Sequence, residues 1–219
     1  IGGGVIGLEF ASIFNAFGSK VTVVEYCKEI LPAFDRDIAK RLRTSLKKQG
    51  INFKTGCAVS AIRTEEDGKV VEYIEKETTK QEVCDLVLMA VGRGANLSSL
   101  NLDDIGIAYT PKGITVNENM QTSQPHIYAV GDINGLCQLA HAATFQSYRA
   151  LNHILGKEDS IDFGIIPAAV FTTPEVATVG LSEEAAEAQG IPYSTHKAFY
   201  RANGKALAMG AEDGIVKIL

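Results

Sequence analysis

Apolar residues recur at three- and four-residue spacing near the start of the chain. Ile6, Phe10, Ile13 and Phe17 predict a helix over residues 5 to 17 that buries one stripe, and Gly18 supplies a left-handed stop. The run Val21-Thr22-Val23-Val24-Glu25 is β-branched and predicts a buried strand. Asp35 can cap a second helix in which Ile38, Leu42 and Leu46 recur until Gly50. Short strands are expected at Ile51 to Lys54, Ala58 to Arg63 and Lys69 to Ile74, with a Glu65-Glu66-Asp67-Gly68 turn before the last. Leu86 to Val91 reads as a continuous apolar strand ending at Gly92. Such alternation predicts an α/β fold, a parallel sheet covered by helices.

After Gly92 the pattern breaks, and residues 93 to 126 are loop-rich. Ile127-Tyr128-Ala129-Val130 reads as a further buried strand that ends at Gly131-Asp132. A helix is expected from about Leu139 to Leu155, carrying Ala143, Ser147, Leu151 and Leu155 on one face. Gly156 to Asp162 reads as a linker. From Pro167 onward the segments are β-like (Ala168 to Thr172, Val176 to Val179, Val216 to Leu219), with one helix after Ser182.

Composition narrows the class. The 219 residues amount to about one and a half domains of ~150 residues each. With 26 acidic and 21 basic residues the net charge is -5, which argues against a phosphate-coating surface for nucleic acid. The richest apolar run, Leu86 to Val91, is far short of the roughly twenty residues of a membrane span. Cys27, Cys57, Cys84 and Cys137 are scattered and form no CxxC, which suggests neither a metal site nor a secreted disulfide scaffold. A reduced, cytoplasmic setting is the expectation. The chain opens Ile1-Gly2-Gly3-Gly4 without an initiator Met. It is expected to be an internal piece of a longer protein, lacking the strand that normally precedes such a turn.

Gly2-Gly3-Gly4-Val5-Ile6-Gly7 fits G-x-G-x-x-G. Gly2 would allow the tight turn, Gly4 the approach of a pyrophosphate, and Gly7 close packing of helix on sheet. The helix N-terminus then offers N–H groups and partial positive charge to the phosphates. Glu25 closes the next strand, 18 residues beyond Gly7, the spacing of an acid that accepts hydrogen bonds from an adenosine ribose. A carboxylate there repels a 2′-phosphate, and Lys28 stands alone as a nearby cation, so NAD is expected over NADP.

Together with Val91-Gly92-Arg93 and Ile127 to Asp132, these residues make the sequence similar to the flavin-dependent pyridine nucleotide–disulfide oxidoreductases. The likeness rests on Gly2 to Glu9 with Val21 to Glu25, on Thr122 through Ile127 to Asp132 followed by Leu139-Ala140-His141-Ala142, and on Phe171 to Ser182. The resemblance implies a Rossmann-like NAD-binding domain (residues 1–92) inserted in an FAD-binding domain (93–160), followed by part of an α+β dimerisation domain (161–219). It further implies that Gly2, Gly3, Gly4, Val5, Ile6, Gly7, Leu8, Glu9, Glu25, Val59 and Gly92 line the NAD site. Asp132 would hydrogen-bond the ribityl chain of FAD, and Gln138, Leu139, Ala140 and His141 would lie along the flavin. Glu9 resembles a glutamate that pairs with a lysine outside this chain.

Within the family the sequence is most like the members that oxidise dihydrolipoamide, passing electrons through a redox disulfide and FAD to NAD. The partners implied are a second copy in a homodimer and the lipoyl carrier domain of a 2-oxo acid dehydrogenase or related complex, with no nucleic acid and no membrane. Where the family usually shows Gly-Arg-x-Pro-Asn, this chain has Gly92-Arg93-Gly94-Ala95-Asn96, which loosens that loop. The redox cysteine pair, the first FAD-binding glycine turn and the catalytic His-Glu pair do not occur in it, so no catalytic residue is assigned here and the isolated polypeptide is expected to be inactive. Related disulfide or mercuric reductases, and a non-enzymatic NAD-binding module, are the alternative readings.

Overall fold

Two short segments, the first of them β-branched, pair in parallel to found the first part of the fold. The computed structural model describes residues 1–66 and 68–219, so Asp67, in the expected 65–68 turn, lies outside the described residues. Residues 1–92 with 169–219 form one unit and residues 93–168 a second. In chain order the first unit begins with helix α1 (Val5–Ala16), strand β1 (Thr22–Glu25), helix α2 (Arg36–Lys48) and strand β2 (Asn52–Thr55). β1 and β2 run parallel, with Thr22 opposite Asn52 and Glu25 opposite Thr55. The Asp35 carboxylate caps α2, accepting from the Asp37 and Ile38 N–H groups at 3.0 and 3.4 Å. Leu42 and Leu46 of α2 are fully buried, as their spacing predicts.

α1 corrects an expectation. Its buried residues are Gly7, Leu8 and Ala11, whereas Ile6, Phe10, Ile13 and Phe17 are exposed in this chain, Phe17 to 82%. Gly7 and Ala11 face inward beside the fully buried Leu8, and the two small residues let the helix approach its neighbours closely. Hydrophobic periodicity alone cannot see that.

Strands β3 (Ala58–Glu65), β4 (Gly68–Glu75) and β5 (Thr78–Cys84) form an antiparallel sheet in the order β3-β4-β5. β5 was not expected. Its polar, mostly exposed residues pair with β4 on one side alone, and such an edge strand needs no apolar alternation. The expected strand at Leu86 to Val91 is not formed. That segment meets Ile1, whose amino group donates to the Leu88 carbonyl at 2.7 Å and whose carbonyl accepts from the Ala90 N–H at 2.8 Å. Leu86, Met89 and Val91 are exposed in this chain.

The second unit packs a small core of Leu102, Ile107, Ile114 and Ala129 beside the hairpin β6 (Tyr109–Thr110) and β7 (Gly113–Ile114). The strand expected at Ile127 to Val130 is likewise absent. A single bridge joins Tyr128 to Gln121, and Ala129 donates to Met120 at 3.0 Å. Helix α3 (Ala140–Ile154) forms, but it buries Ala142, Gln146 and Ala150, not the face of Ala143, Ser147, Leu151 and Leu155. Beyond it the expected linker is irregular but anchored, because Arg149 Nε donates to Asp159 at 2.8 Å and a terminal guanidinium nitrogen donates to the Ile161 carbonyl at 2.7 Å.

The chain then returns to the first unit with β8 (Ala168–Val170), β9 (Val176–Thr178), α4 (Glu183–Ala188), β10 (His196–Phe199), α5 (Gly204–Ala208) and β11 (Ile215–Ile218). Ser182 caps α4 through the Ala185 N–H at 3.2 Å. β10 and α5 were not expected. β10 pairs antiparallel with β11, and this pairing brings Lys217 against the start of α2. Its ammonium meets Asp35 at 2.6 Å, Asp37 at 3.0 Å and Glu183 at 2.5 Å, and the lysine side chain is only 4% exposed. Among the described residues, no helix is long and apolar enough to cross a membrane.

Candidate functional site

The glycine turn is built by contacts that exclude side chains. Gly2 donates its N–H to the Val24 carbonyl at 2.8 Å. Gly2 has φ +102°, and a Cβ there would stand 2.2 Å from the Ala90 carbonyl oxygen. A Cβ on Gly7 would stand 2.1 Å from the Gly2 oxygen, so this glycine sets how closely α1 approaches the turn. Gly4 differs. It precedes α1 in extended conformation, and nothing lies within 4 Å of a Cβ built on it. Among the described residues no side chain caps α1, which leaves the helix start with unclaimed N–H groups beside the open space at Gly4.

Glu25 ends β1 and is buried. One carboxylate oxygen accepts from the Gly3 N–H at 2.5 Å and the other from the Cys27 N–H at 2.6 Å. Gly3 is tight against it, since a Cβ there would stand 3.1 Å from Glu25 Oε2. A carboxylate has about four acceptor directions, so two backbone donors fix its orientation and leave capacity for hydroxyl donors. Val59 packs behind, on a cluster of Val24, Cys57 and Tyr73. Gly92 is exposed at the end of the unit's first segment, with φ +124°. Glu9, one turn into α1, accepts from the Phe171 N–H at 2.8 Å. The sequence offered no signal for that contact, because the donor is a backbone group 162 residues away.

Within residues 93–168 a second group of expected site residues gathers at the start of α3. Asp132 is exposed on a 3-10 turn, Gly131–Asn134, and Gly131 has φ +77°. Leu139 precedes α3 in extended conformation, and among the described residues no side chain caps the helix. Gln138 donates to the Arg93 carbonyl at 3.3 Å, and His141 Nε2 lies 2.8 Å from the Pro167 carbonyl. A carbonyl only accepts, so Nε2 carries the proton and His141 is the donor. Two buried polar residues that the sequence reading missed, Asn134 and Gln146, lie under the Asp132 turn.

Residues 1–147 match the family model for pyridine nucleotide-disulphide oxidoreductases, and residues 166–219 match that family's dimerisation domain. The chain belongs to the pyridine nucleotide-disulphide oxidoreductases. Relatives in this family include a dihydrolipoyl dehydrogenase of Chlamydia muridarum, 41% identical over all of this chain and 46% of the relative, and one of Bacillus subtilis, 39% identical over all of this chain and 47% of the relative. The solved structure of LpdA from Mycobacterium tuberculosis has a TM-score of 0.87 at 32% identity, covering 99% of this chain and 47% of that one. The HOCl-induced flavoprotein disulfide reductase RclA from Escherichia coli has a TM-score of 0.86 at 32% identity, covering 99% and 50%. The chain spans about half the length of the curated relatives it matches. The α/β class expected from the sequence is the class of this family, with α+β dimerisation-domain residues following.

Cys27, Cys57, Cys84 and Cys137 are all free thiols. Burial pushes every one of these thiols up. Nearby carboxylates add to the effect, namely Glu25 at Cys27, Glu75 at Cys57, Asp85 at Cys84 and Asp132 at Cys137. None sits where a thiolate is favoured at neutral pH. Alkylation by iodoacetamide at about pH 7 is therefore expected to be slower than for free cysteine, and to accelerate only above the ordinary thiol range near pH 8.5. Mass spectrometry of a time course checks this; one cysteine modified faster than free cysteine would show an activated thiol.

Proposed function

We propose that this chain is the NAD-binding part, with a share of the FAD-binding part, of an FAD-dependent dihydrolipoyl dehydrogenase. The domain assignment follows that reading: residues 1–92 for NAD, 93–160 for the C-terminal part of the FAD domain, and 161–219 for dimerisation. The observation that carries it is Glu25, a buried carboxylate held by the Gly3 and Cys27 N–H groups beside an open glycine turn. This geometry suits a diol that donates two hydrogen bonds, as a ribose does. The uncapped start of α1 and the space at Gly4 suit the pyrophosphate.

When bound, FAD supplies a two-electron relay between a dithiol and NAD, which accepts the hydride. The chain's own residues bind and orient. Glu25 would hold the adenosine ribose, and Gly2 to Leu8 would bring backbone N–H groups to the phosphates. Val59 and Gly92 would line the rest of the nucleotide path. Asp132 would accept from a ribityl hydroxyl, and the residues from Gln138 to His141 would aim the start of α3 at the flavin edge, where negative charge develops on reduction. A homodimer, a lipoyl carrier domain as partner and a cytoplasmic location belong to the same reading. The likeness to RclA favours, as a second reading, another disulfide reductase of the family.

Fluorescence titration of the complete protein with NADH and NADPH tests the cofactor choice. NADH is expected to bind at least about tenfold more tightly, a difference of ~1.4 kcal/mol. Glu25→Gln, which removes the charge but keeps one acceptor, is expected to shrink that ratio to about threefold or less. NADPH binding as tight as NADH in the unaltered protein would sink the reading of Glu25.

A further inference from the structure

We propose that Gln146 and Asn134 are positioning residues that set the Asp132 turn for flavin binding. The inference rests on the flavin reading of Asp132 given above. Gln146 lies inside α3 and is 1% exposed, and Asn134 is 6% exposed. A buried amide is costly unless its polar atoms are engaged, and an apolar residue would pack the same helix face without that demand. Here the amide oxygen is engaged twice. Gln146 Oε1 accepts from the Gly131 N–H at 2.7 Å and from Asn134 Nδ2 at 2.9 Å. Asn134 Nδ2 also donates to the Ala129 carbonyl at 3.1 Å, and Asn134 Oδ1 accepts from the Leu136 N–H at 3.0 Å.

These contacts grip the backbone on both sides of Asp132, at Ala129, Gly131, Asn134 and Leu136. Neither amide hydrogen-bonds the Asp132 carboxylate itself, which leaves that group exposed and its acceptors available. Gly131 is pressed onto α3 as well, since a Cβ there would stand 3.2 Å from the Ala143 methyl. The helix that begins at the expected flavin edge therefore also fixes the turn bearing Asp132. One rigid element carries both contacts, and Gln146 joins them.

The test is FAD titration of the complete protein after the flavin has been stripped, comparing Gln146→Leu, Gln146→Glu, Asp132→Ala and the double variant Asp132→Ala with Gln146→Leu. Gln146→Leu leaves two buried donors without an acceptor and is expected to weaken FAD binding about tenfold. Gln146→Glu keeps an acceptor oxygen for both donors and is expected to stay within about threefold of the unaltered protein. Because Gln146 acts through Asp132, the double variant is expected to bind FAD within about twofold of Asp132→Ala alone. Losses that multiply, or a Gln146→Glu variant as weak as Gln146→Leu, would make Gln146 a packing residue and overturn the proposal. An Asp132→Ala variant with unchanged FAD affinity would instead overturn the reading of Asp132 on which it rests.

Discussion

Replacing Gly7 by alanine is expected to cost about 3 kcal/mol of stability and to remove measurable NADH binding. Overpacking at a rigid site typically costs ~1–3 kcal/mol, and here the clash lies at the upper end. The added methyl would stand 2.1 Å from the Gly2 carbonyl oxygen and 3.1 Å from its carbon, and both are backbone atoms that no rotamer change can move aside. α1 must then lift from the turn, carrying with it the N–H groups proposed to meet the phosphates. For a chain of this size ~3 kcal/mol lowers Tm by roughly 6–12 °C. Gly4→Ala separates stability from binding. Its backbone has φ -77° and nothing lies within 4 Å of the new methyl, so the fold should hold. The methyl would occupy the space proposed for the pyrophosphate, and NADH affinity is expected to fall about tenfold or more. Thermal unfolding and NADH titration of both variants check the pair. A Gly7→Ala protein with unchanged Tm, or a Gly4→Ala protein with undiminished NADH affinity, would contradict the roles given to these two positions.

Lys217→Met is expected to destabilise the protein by about 2–4 kcal/mol, somewhat less than the ~3–5 kcal/mol typical of breaking a fully buried ion pair. The discount reflects water reaching Asp37 and Glu183, whose side chains are 41% and 28% exposed. Methionine fills the lysine's volume but leaves three carboxylates facing one another, among them the Asp35 that caps α2. Hydrogen bonds from Lys197 and Lys217 hold the Asp37 carboxyl below its ordinary value. Lys217 and Thr195 do the same for Glu183. A depressed folded pKa gives stability that is present above the unfolded carboxylate range and is lost as pH falls through the folded values. For Lys217, burial opposes the charge, yet its hydrogen bonds to Asp35, Glu183 and Asp37 outweigh burial and raise the pKa. Its contribution is complete below the ordinary lysine range and is lost as pH rises beyond it. The stability gap between the unaltered protein and Lys217→Met should therefore be widest near neutrality and close below about pH 4. Urea unfolding across that range measures it. A gap that stays constant from neutral to acid pH would remove the ion cluster as its cause.

The stereochemistry of the glycine turn was legible in the linear order of residues because its requirements are local. A positive φ at Gly2, a contact with no room for Cβ at Gly7 and a carboxylate closing a β-branched strand each select residue type directly, and their spacing follows from one strand–turn–helix unit. Asp35 as a helix cap was readable for the same reason. Tertiary structure decided the rest, through partners that local pattern does not contain. Ile127 to Val130 has strand composition, but a ladder forms only where a neighbouring strand offers several rungs, and here Tyr128 meets Gln121 in a single bridge. β5 is polar and still pairs, because β4 supplies its whole ladder. α1 buries Gly7, Leu8 and Ala11 and α3 buries Ala142, Gln146 and Ala150 instead of the expected stripes, since the burying face is set by what a helix packs against. Lys217 among its three carboxylates and Gln146 beneath the Asp132 turn exist only once distant segments meet. Residue identity alone thus specified the site's local stereochemistry, and long-range packing chose which groups it would enclose.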